Sequence, residues 1–274
     1  MPERLKLVAK NLKLVAWNTL EQRVEALDQD GYVYFSSALA DDEVVELRAA
    51  MDRLEACPEE FDRYDDPESN GFLNKSINNV FNRDPLFLSY LDRPDVIDVV
   101  EAAHGPDCHV IGMTAWMTGP GRPDQGVHVD WQPLELPEDV MDDPRVHVPV
   151  YITTAHFFLD DIYEELGPTQ FIPGSHRAGR CPSNGESTWR GVEPRSILCS
   201  AGDAVLFRCE VWHRGTANTS GRMRYLLQVH YAQRMITQKF PPYLNRFQFD
   251  PDILSRATDR QRRLLGEHVQ SNYD

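Results

Sequence analysis

The sequence predicts a mainly β protein with flanking helices, its strands wound into a sandwich or barrel. Three observations carry that expectation. Short β-prone segments crowd the second half of the chain, at residues 110–118, 127–131, 148–159, 196–199, 204–208 and 225–231. Turn-forming clusters rich in Gly, Pro, Asn and Asp separate them. No regular alternation of strand and long helix, as a parallel βαβ sheet needs, runs through the sequence.

The elements can be justified in chain order. Leu5-Lys-Leu-Val-Ala9 recurs seven residues later as Leu12-Lys-Leu-Val-Ala16, which predicts a helix or arm packed on the domain. Asp30-Gly31 forms a turn ahead of Tyr32-Val-Tyr-Phe35, a short strand. Asp41 or Asp42 then caps a helix whose Val44, Leu47, Met51 and Leu54 share one face. Residues 57–82 are acidic, polar and broken by Pro and Gly, and read as a long loop of the lid or binding kind. Residues 94–103 read as a helix, and residues 252–266 as a C-terminal helix ending at Gly266.

Composition bounds the function. The 274 residues carry a net charge of -15, so a nucleic-acid or anionic-membrane surface is not expected. The five cysteines, Cys57, Cys108, Cys181, Cys199 and Cys209, contain no Cys-x-x-Cys pair. Neither a disulfide framework nor a thiolate zinc site is expected, and the cytoplasm is the natural compartment. The N-terminal stretch lacks the apolar run of a signal peptide, and no later stretch approaches a membrane span. The expected partner is a small molecule; the oligomeric state stays open.

His128-Val129-Asp130 and, far downstream, His213 carry the chemistry. In a strand, residues i and i+2 project from one face, so His128 and Asp130 can aim at one metal ion. Two imidazoles and one carboxylate on one face of a metal leave the opposite positions open, the ligand set of non-heme Fe(II) oxygenases. The dipeptide alone is weak, because about one His-x-acid match is expected by chance in such a composition. Context strengthens it. If the turn-rich residues 214–221 close a hairpin, Arg224 lies across from His213 on the same face. A guanidinium there could hold the far carboxylate of a metal-chelating dicarboxylate such as 2-oxoglutarate. Arg222 has the same parity but lies nearer the turn.

On these residues the chain resembles the phytanoyl-CoA dioxygenase family of Fe(II)/2-oxoglutarate oxygenases. The resemblance rests on His128-x-Asp130, on Gly167-Pro-Thr-Gln-Phe-Ile-Pro-Gly-Ser-His176, on Gly202-Asp203-Ala-Val-Leu-Phe207, and on His213 with an arginine eleven residues later. It also touches Asp30-Gly-Tyr-Val-Tyr34 and Asp259-Arg-Gln-Arg-Arg-Leu-Leu-Gly266, and so covers most of the chain in family order. It implies a double-stranded β-helix, a jelly-roll or cupin-like core, at residues 105–235. Residues 1–104 would then be a supporting helix, strand and loop, and 236–274 a helical extension, all in one domain over 1–274. It implies Fe(II) held by His128, Asp130 and His213, with 2-oxoglutarate and dioxygen as co-substrates. Thr169 is expected to contact 2-oxoglutarate; Gln125 is a weaker candidate, as are Lys75 and Asn78.

The implied reaction couples decarboxylation of 2-oxoglutarate to attack on a C–H bond of a small molecule, by default hydroxylation, as in secondary metabolism. Desaturation, ring closure or epimerisation would draw on the same oxidant; halogenation is disfavoured because Asp130 fills the position a halide needs. The acidic segment 133–149 is expected at the pocket mouth. So acidic a surface disfavours a phosphate-rich acyl-CoA and favours a neutral or cationic substrate. Two rivals remain open: a non-redox metal-dependent cupin-like enzyme, such as a zinc isomerase or hydrolase, and a non-catalytic binding protein on the same scaffold. His176, His156 and His230 are expected to be structural, packed and hydrogen-bonded.

Overall fold

The computed structural model describes residues 17–240 and 247–269, and the 5–16 repeat lies outside them. The chain enters through helix α1, Leu20–Gln29, which starts at a capping box. The Thr19 hydroxyl accepts from the Gln22 N–H at 3.3 Å, and the Gln22 side chain accepts from the Thr19 N–H at 3.3 Å. The Thr-x-x-Gln pattern of residues 19–22 is the local sequence signal for this start. Strand β1, Tyr32–Phe35, follows as expected. Helix α2, Asp41–Arg53, buries Val44, Leu47 and Met51. Its N-cap is Ala40 rather than Asp41 or Asp42; both acids fall inside the first turn, where the helix dipole favours them.

Residues 57–82 are not one loop. They contain β2 (Arg63–Asp65), a one-turn helix α3 (Pro67–Asn70) and β3 (Asn74–Asn78). Strand β3 is Asn-Lys-Ser-Ile-Asn, so it carries no apolar alternation to betray it. Its pairing with β4 (His109–Thr118) makes it a strand. Helix α4 (Val96–His104) precedes β4, and a short α5 (Glu138–Met141) lies in the acidic segment. The remaining strands are β5 (Ile152–Phe158), β6 (Thr169–Phe171), β7 (Arg195–Ser196), β8 (Ala204–Arg208), β9 (His213–Gly215) and β10 (Arg224–Ala232). The expected C-terminal helix is two, α6 (Pro251–Leu254) and α7 (Asp259–Leu264). Thr258 divides them by forming a capping box with Gln261, a local bond that competes with helix continuation.

The strands form two antiparallel sheets, one ordered β1-β8-β5-β10-β4-β3-β2 and one ordered β7-β6-β9. A single bridge between His128 and His213 extends the smaller sheet past β9. Segment 127–131 is therefore a bridge and not the full strand the sequence led us to expect. Alternation divides the large sheet between two cores. Val205, Phe207 and Leu226 face the small sheet, where Phe171 meets Phe207 with ring centroids 4.9 Å apart. Leu206, Leu227, Val229 and Tyr231 face the other way, into a core shared with α1, α2 and α4. This is a jelly roll with helices backing its large sheet.

Two details of the frame bear on the site. The Asp203 carboxylate accepts from the Tyr34 hydroxyl and from the Ser37 and Ser200 N–H groups, at 2.7 and 2.8 Å, tying β1 to the start of β8. Between β10 and β4, His230 pairs with Gly112 but Tyr231 pairs with Val110, so Ile111 is left unopposed in a bulge. Its carbonyl instead accepts the Lys239 N–H at 2.8 Å. No helix among the described residues is long and apolar enough to cross a membrane.

Candidate metal centre and the cavities around it

His213 opens β9, and its backbone exchanges two 2.9 Å hydrogen bonds with that of His128, which sets the two imidazoles side by side with centroids 4.4 Å apart. Two residues on, the Asp130 N–H donates to the Cys209 carbonyl at 3.0 Å. That turns its carboxylate back toward the pair, with Oδ1 3.5 Å from His213 Nε2. One ligand atom from each of His128, Asp130 and His213 falls within 4.8 Å of the others. The period-two reasoning holds even though only one bridge supports it.

The donor set fits a divalent metal in its protonation as well as its spacing. His128 Nδ1 lies 2.9 Å from the Gly126 carbonyl, and His213 Nδ1 lies 2.9 Å from that of Val211. A carbonyl can only accept, so each Nδ1 carries the hydrogen and each Nε2 is the free lone pair. Burial lowers the pKa of His128, and neighbouring His213 lowers it further. Burial would raise Asp130, but His213, which faces it, outweighs burial and holds the carboxyl well below its usual range. His213 is lowered by burial yet raised on balance, because Asp130 faces it. A carboxylate and two Nε2 lone pairs suit Fe(II) and leave room for other ligands.

Two cavities meet at this cluster. A narrow one is lined by His128, Asp130 and His213 together with Thr169, Gln125 and Arg224. Arg224 is buried, and its guanidinium donates to the Gly167 carbonyl. Burial, reinforced by Arg122, pushes its pKa down to about 10 against the pull of Asp160. Gly167 needs its left-handed φ of +78°, and a Cβ there would lie 2.7 Å from the Thr216 carbonyl. Gln125 is held against β9, its Oε1 accepting from the Gly215 N–H at 2.9 Å. A wide cavity of about 690 Å³ opens on the other side, with Trp116, Asp130 and Gln228 in the walls of both.

Several expectations need correction. His213 and Arg224 are not hairpin partners. Strand β9 pairs with β6 in the small sheet, whereas Arg224 pairs with Thr118 of β4 in the large one. Residues 216–223 cross between sheets because distant groups hold them: the Thr219 and Ser220 N–H groups both donate to the Glu165 carbonyl, at 2.8 and 2.9 Å. Arg224 still reaches the narrow cavity, while Arg222 is exposed and 3.8 Å from Asp160. Lys75 turns away, its ammonium on the Leu54 carbonyl, and Asn78 lines the wide cavity instead. Residues 133–149 line neither cavity; Arg190 pins them through Glu138 and Asp142. Arg122, buried beside Arg224, is a second cation that the sequence does not announce. It lies among turn residues with no periodicity, and its Nη1 donates to the Thr216 carbonyl at 3.0 Å.

Three other histidines each anchor one ring nitrogen in the frame, while the Nδ1 atoms of His156 and His176 are buried without a hydrogen-bond partner among the described residues. His156 Nε2 lies 2.9 Å from the Gln228 amide, His230 Nδ1 lies 3.0 Å from the Thr154 hydroxyl, and His176 Nε2 lies 2.9 Å from the Asp28 carbonyl.

A family model described as Phytanoyl-CoA dioxygenase (PhyH) matches residues 27–226. The chain belongs to the phytanoyl-CoA dioxygenase family. Among relatives in this family context, dioxygenase cdmA of Talaromyces verruculosus is 25% identical over 284 residues, covering 94% of this chain and 87% of its own. An uncharacterised Mycobacterium tuberculosis protein is 24% identical over 163 residues, 57% of this chain. The match spans 55% of that mycobacterial relative's length. Among solved structures, the epimerase SnoN in complex with Fe3+, alpha ketoglutarate and nogalamycin RO superposes with a TM-score of 0.62 at 18% identity, over 85% of this chain and 92% of that one. HygX from Streptomyces hygroscopicus with nickel and 2-oxoglutarate bound gives 0.59 at 19% identity, over 79% and 88%. These similarities show that the fold is shared.

Proposed function

We propose that the protein is an Fe(II)- and 2-oxoglutarate-dependent dioxygenase that oxidises a C–H bond of a small molecule held in the wide cavity. One observation carries the reading: two carbonyl-locked imidazoles and a carboxylate converge between a narrow cavity ending in a buried arginine and a wide one open to solvent. His128, Asp130 and His213 hold the iron. Arg224 and Thr169 hold the far carboxylate of 2-oxoglutarate, Arg122 adds positive field, and Gln125 fixes the wall. When bound, iron supplies the Lewis acid at which dioxygen and 2-oxoglutarate react, yielding succinate, carbon dioxide and the oxidising power for C–H cleavage.

The protein's own groups position and exclude. Burial foremost pushes His156 and His230 down to about 3, against the pull of Asp130, so both stay neutral at pH 7 and neither is a ready proton donor. They pack around Asp130 without competing for its charge. Hydroxylation is the simplest outcome for an oxidised C–H bond. The similar structures include an epimerase, a carbocyclase and a protein solved with hygromycin B, so a secondary metabolite fits the substrate class and the outcome follows from how it is held. Residues 105–235 form the working core of a single domain, and a cytoplasmic setting suits reduced thiols and Fe(II).

A non-redox zinc enzyme would leave Arg224 without a carboxylate to hold. Succinate formation separates the two. The expected result is succinate release that requires Fe(II), 2-oxoglutarate and air, rises with a substrate, and disappears in Asp130→Ala together with tight iron binding. Turnover of a substrate with Zn(II) and no 2-oxoglutarate would overturn the proposal.

A further inference from the structure

The wide cavity's polar groups are mostly engaged with one another. Thr114 donates to Asn78 Oδ1 at 3.0 Å, the Asn78 amide donates to the Phe61 carbonyl at 2.7 Å, and Trp116 Nε1 donates to Asn74 at 2.7 Å. Thr154 is paired with His230, and Gln228 with His156. Lys239 is different. Together with Asp130 it is one of two charged side chains in that lining among the described residues, and its ammonium has no hydrogen bond or ion pair among them.

Its position is built rather than incidental. The bulge at Ile111 frees the carbonyl that fixes the Lys239 N–H, the Gln238 side chain donates to the Val110 carbonyl at 2.9 Å, and His109 Nε2 donates to that of Ile236 at 2.7 Å. The stem then runs over Gly112 beside His230, and Lys239, which lines the cavity, is itself exposed. Asp130 is the carboxylate that most offsets the desolvation of this ammonium. In the proposed enzyme that carboxylate is committed to iron, and Lys239 loses its counter-charge. The remaining walls offer Trp116, Trp131, Ile111, Ile152 and Ile236, a largely apolar enclosure.

We infer that Lys239 anchors an anionic oxygen of the prime substrate, a carboxylate or an ionised phenol or enol on an otherwise largely apolar molecule. This rests on the wide cavity being the substrate site, as proposed above. It reverses the expectation drawn from the net charge of -15: the chain is acidic overall, yet this cavity presents a cation with no ion pair among the described residues. Local charge at the contact outweighs the distant surface, because exposed charges beyond about 8 Å are screened at physiological salt.

The test uses the Fe(II)-loaded full chain under anaerobic conditions with saturating 2-oxoglutarate, whose binding is measured first by calorimetry. Anthracene-2-carboxylate and its methyl ester, matched in shape and differing in charge, are the probes. The expected result is saturable binding of the acid, roughly ten-fold or more tighter than the ester, as a charge-assisted hydrogen bond implies. Lys239→Gln should abolish that preference and Lys239→Arg should keep it, with 2-oxoglutarate affinity serving as the folding control. No saturable binding of the acid, equal binding of acid and ester, or a preference that survives Lys239→Gln overturns the inference. A wild-type chain that prefers the acid but binds neither Fe(II) nor 2-oxoglutarate overturns the proposed function instead.

Discussion

Arg224 and Arg222 sit two residues apart, and their surroundings assign them opposite roles. Arg224 is buried with its guanidinium on the Gly167 carbonyl; Arg222 is mostly solvent-exposed and lies near Asp160. Removing Arg224 should raise the 2-oxoglutarate concentration needed for half-maximal succinate release by roughly ten- to hundred-fold, as loss of a hydrogen bond to a charged group implies. Arg222→Ala should leave it within about two-fold, since exposed ion pairs contribute little. Steady-state titration of both variants measures the difference, and an unchanged requirement in Arg224→Ala would discard the clamp. The triad's residue types and the two-residue step between His128 and Asp130 were legible in the sequence, because that step needs only local backbone geometry. Arg122 was not, since nothing near it in the chain says that it folds back onto Thr216.

At the scale of elements, the strands with apolar alternation were readable, and those held by their neighbours were not. Strands β1 and β8 came out nearly to the residue, because Tyr32–Phe35 and Ala204–Arg208 are apolar runs behind glycine turns. Strand β3 is polar, and β6 and β9 are three residues each, so only pairing defines them. The crossing from β9 to β10 read as a hairpin loop because its turn residues are those of a hairpin, whereas its hydrogen bonds go to Glu165 and Arg122. Asp203 shows how an edge strand is secured. Its carboxylate satisfies Tyr34, Ser37 and Ser200 at once, so Asp203→Ala strands the buried Tyr34 hydroxyl and two part-buried N–H groups and should cost about 2–4 kcal/mol. Urea unfolding checks this, and a loss below about 0.5 kcal/mol would show that β1 docks through its apolar contacts alone.

The molecule as a whole responds to acid and to ligand. His104, between α4 and β5, is buried against the Val150 carbonyl and the Thr153 hydroxyl, and burial foremost pushes its pKa down to about 4. The unfolded chain therefore binds a proton there that the folded chain refuses. Stability is fully present above the ordinary histidine value of about 6.5 and is lost as pH falls toward 4, by about 3 kcal/mol in all. Urea midpoints of wild type and His104→Gln across pH 4–7 test it: the variant should lose less over this window, and parallel curves would contradict it. Ligand should act across the layers. His213 belongs to the small sheet and Arg224 to the large one, so 2-oxoglutarate held between metal and arginine, as proposed, would cross-brace them. With Fe(II) present, 2-oxoglutarate at 100 times its dissociation constant should stabilise the fold by about 2.7 kcal/mol. A thermal shift of equal size without metal would mean that the two ends are not joined through it. The partition of Trp116, Asp130 and Gln228 between the cavities has a further consequence. With the guest in the wide cavity as proposed, these shared side chains would make it a ruler: the oxidised carbon would be the one whose distance along the guest's skeleton matches them, so lengthening the guest by one bond should move the mark it bears.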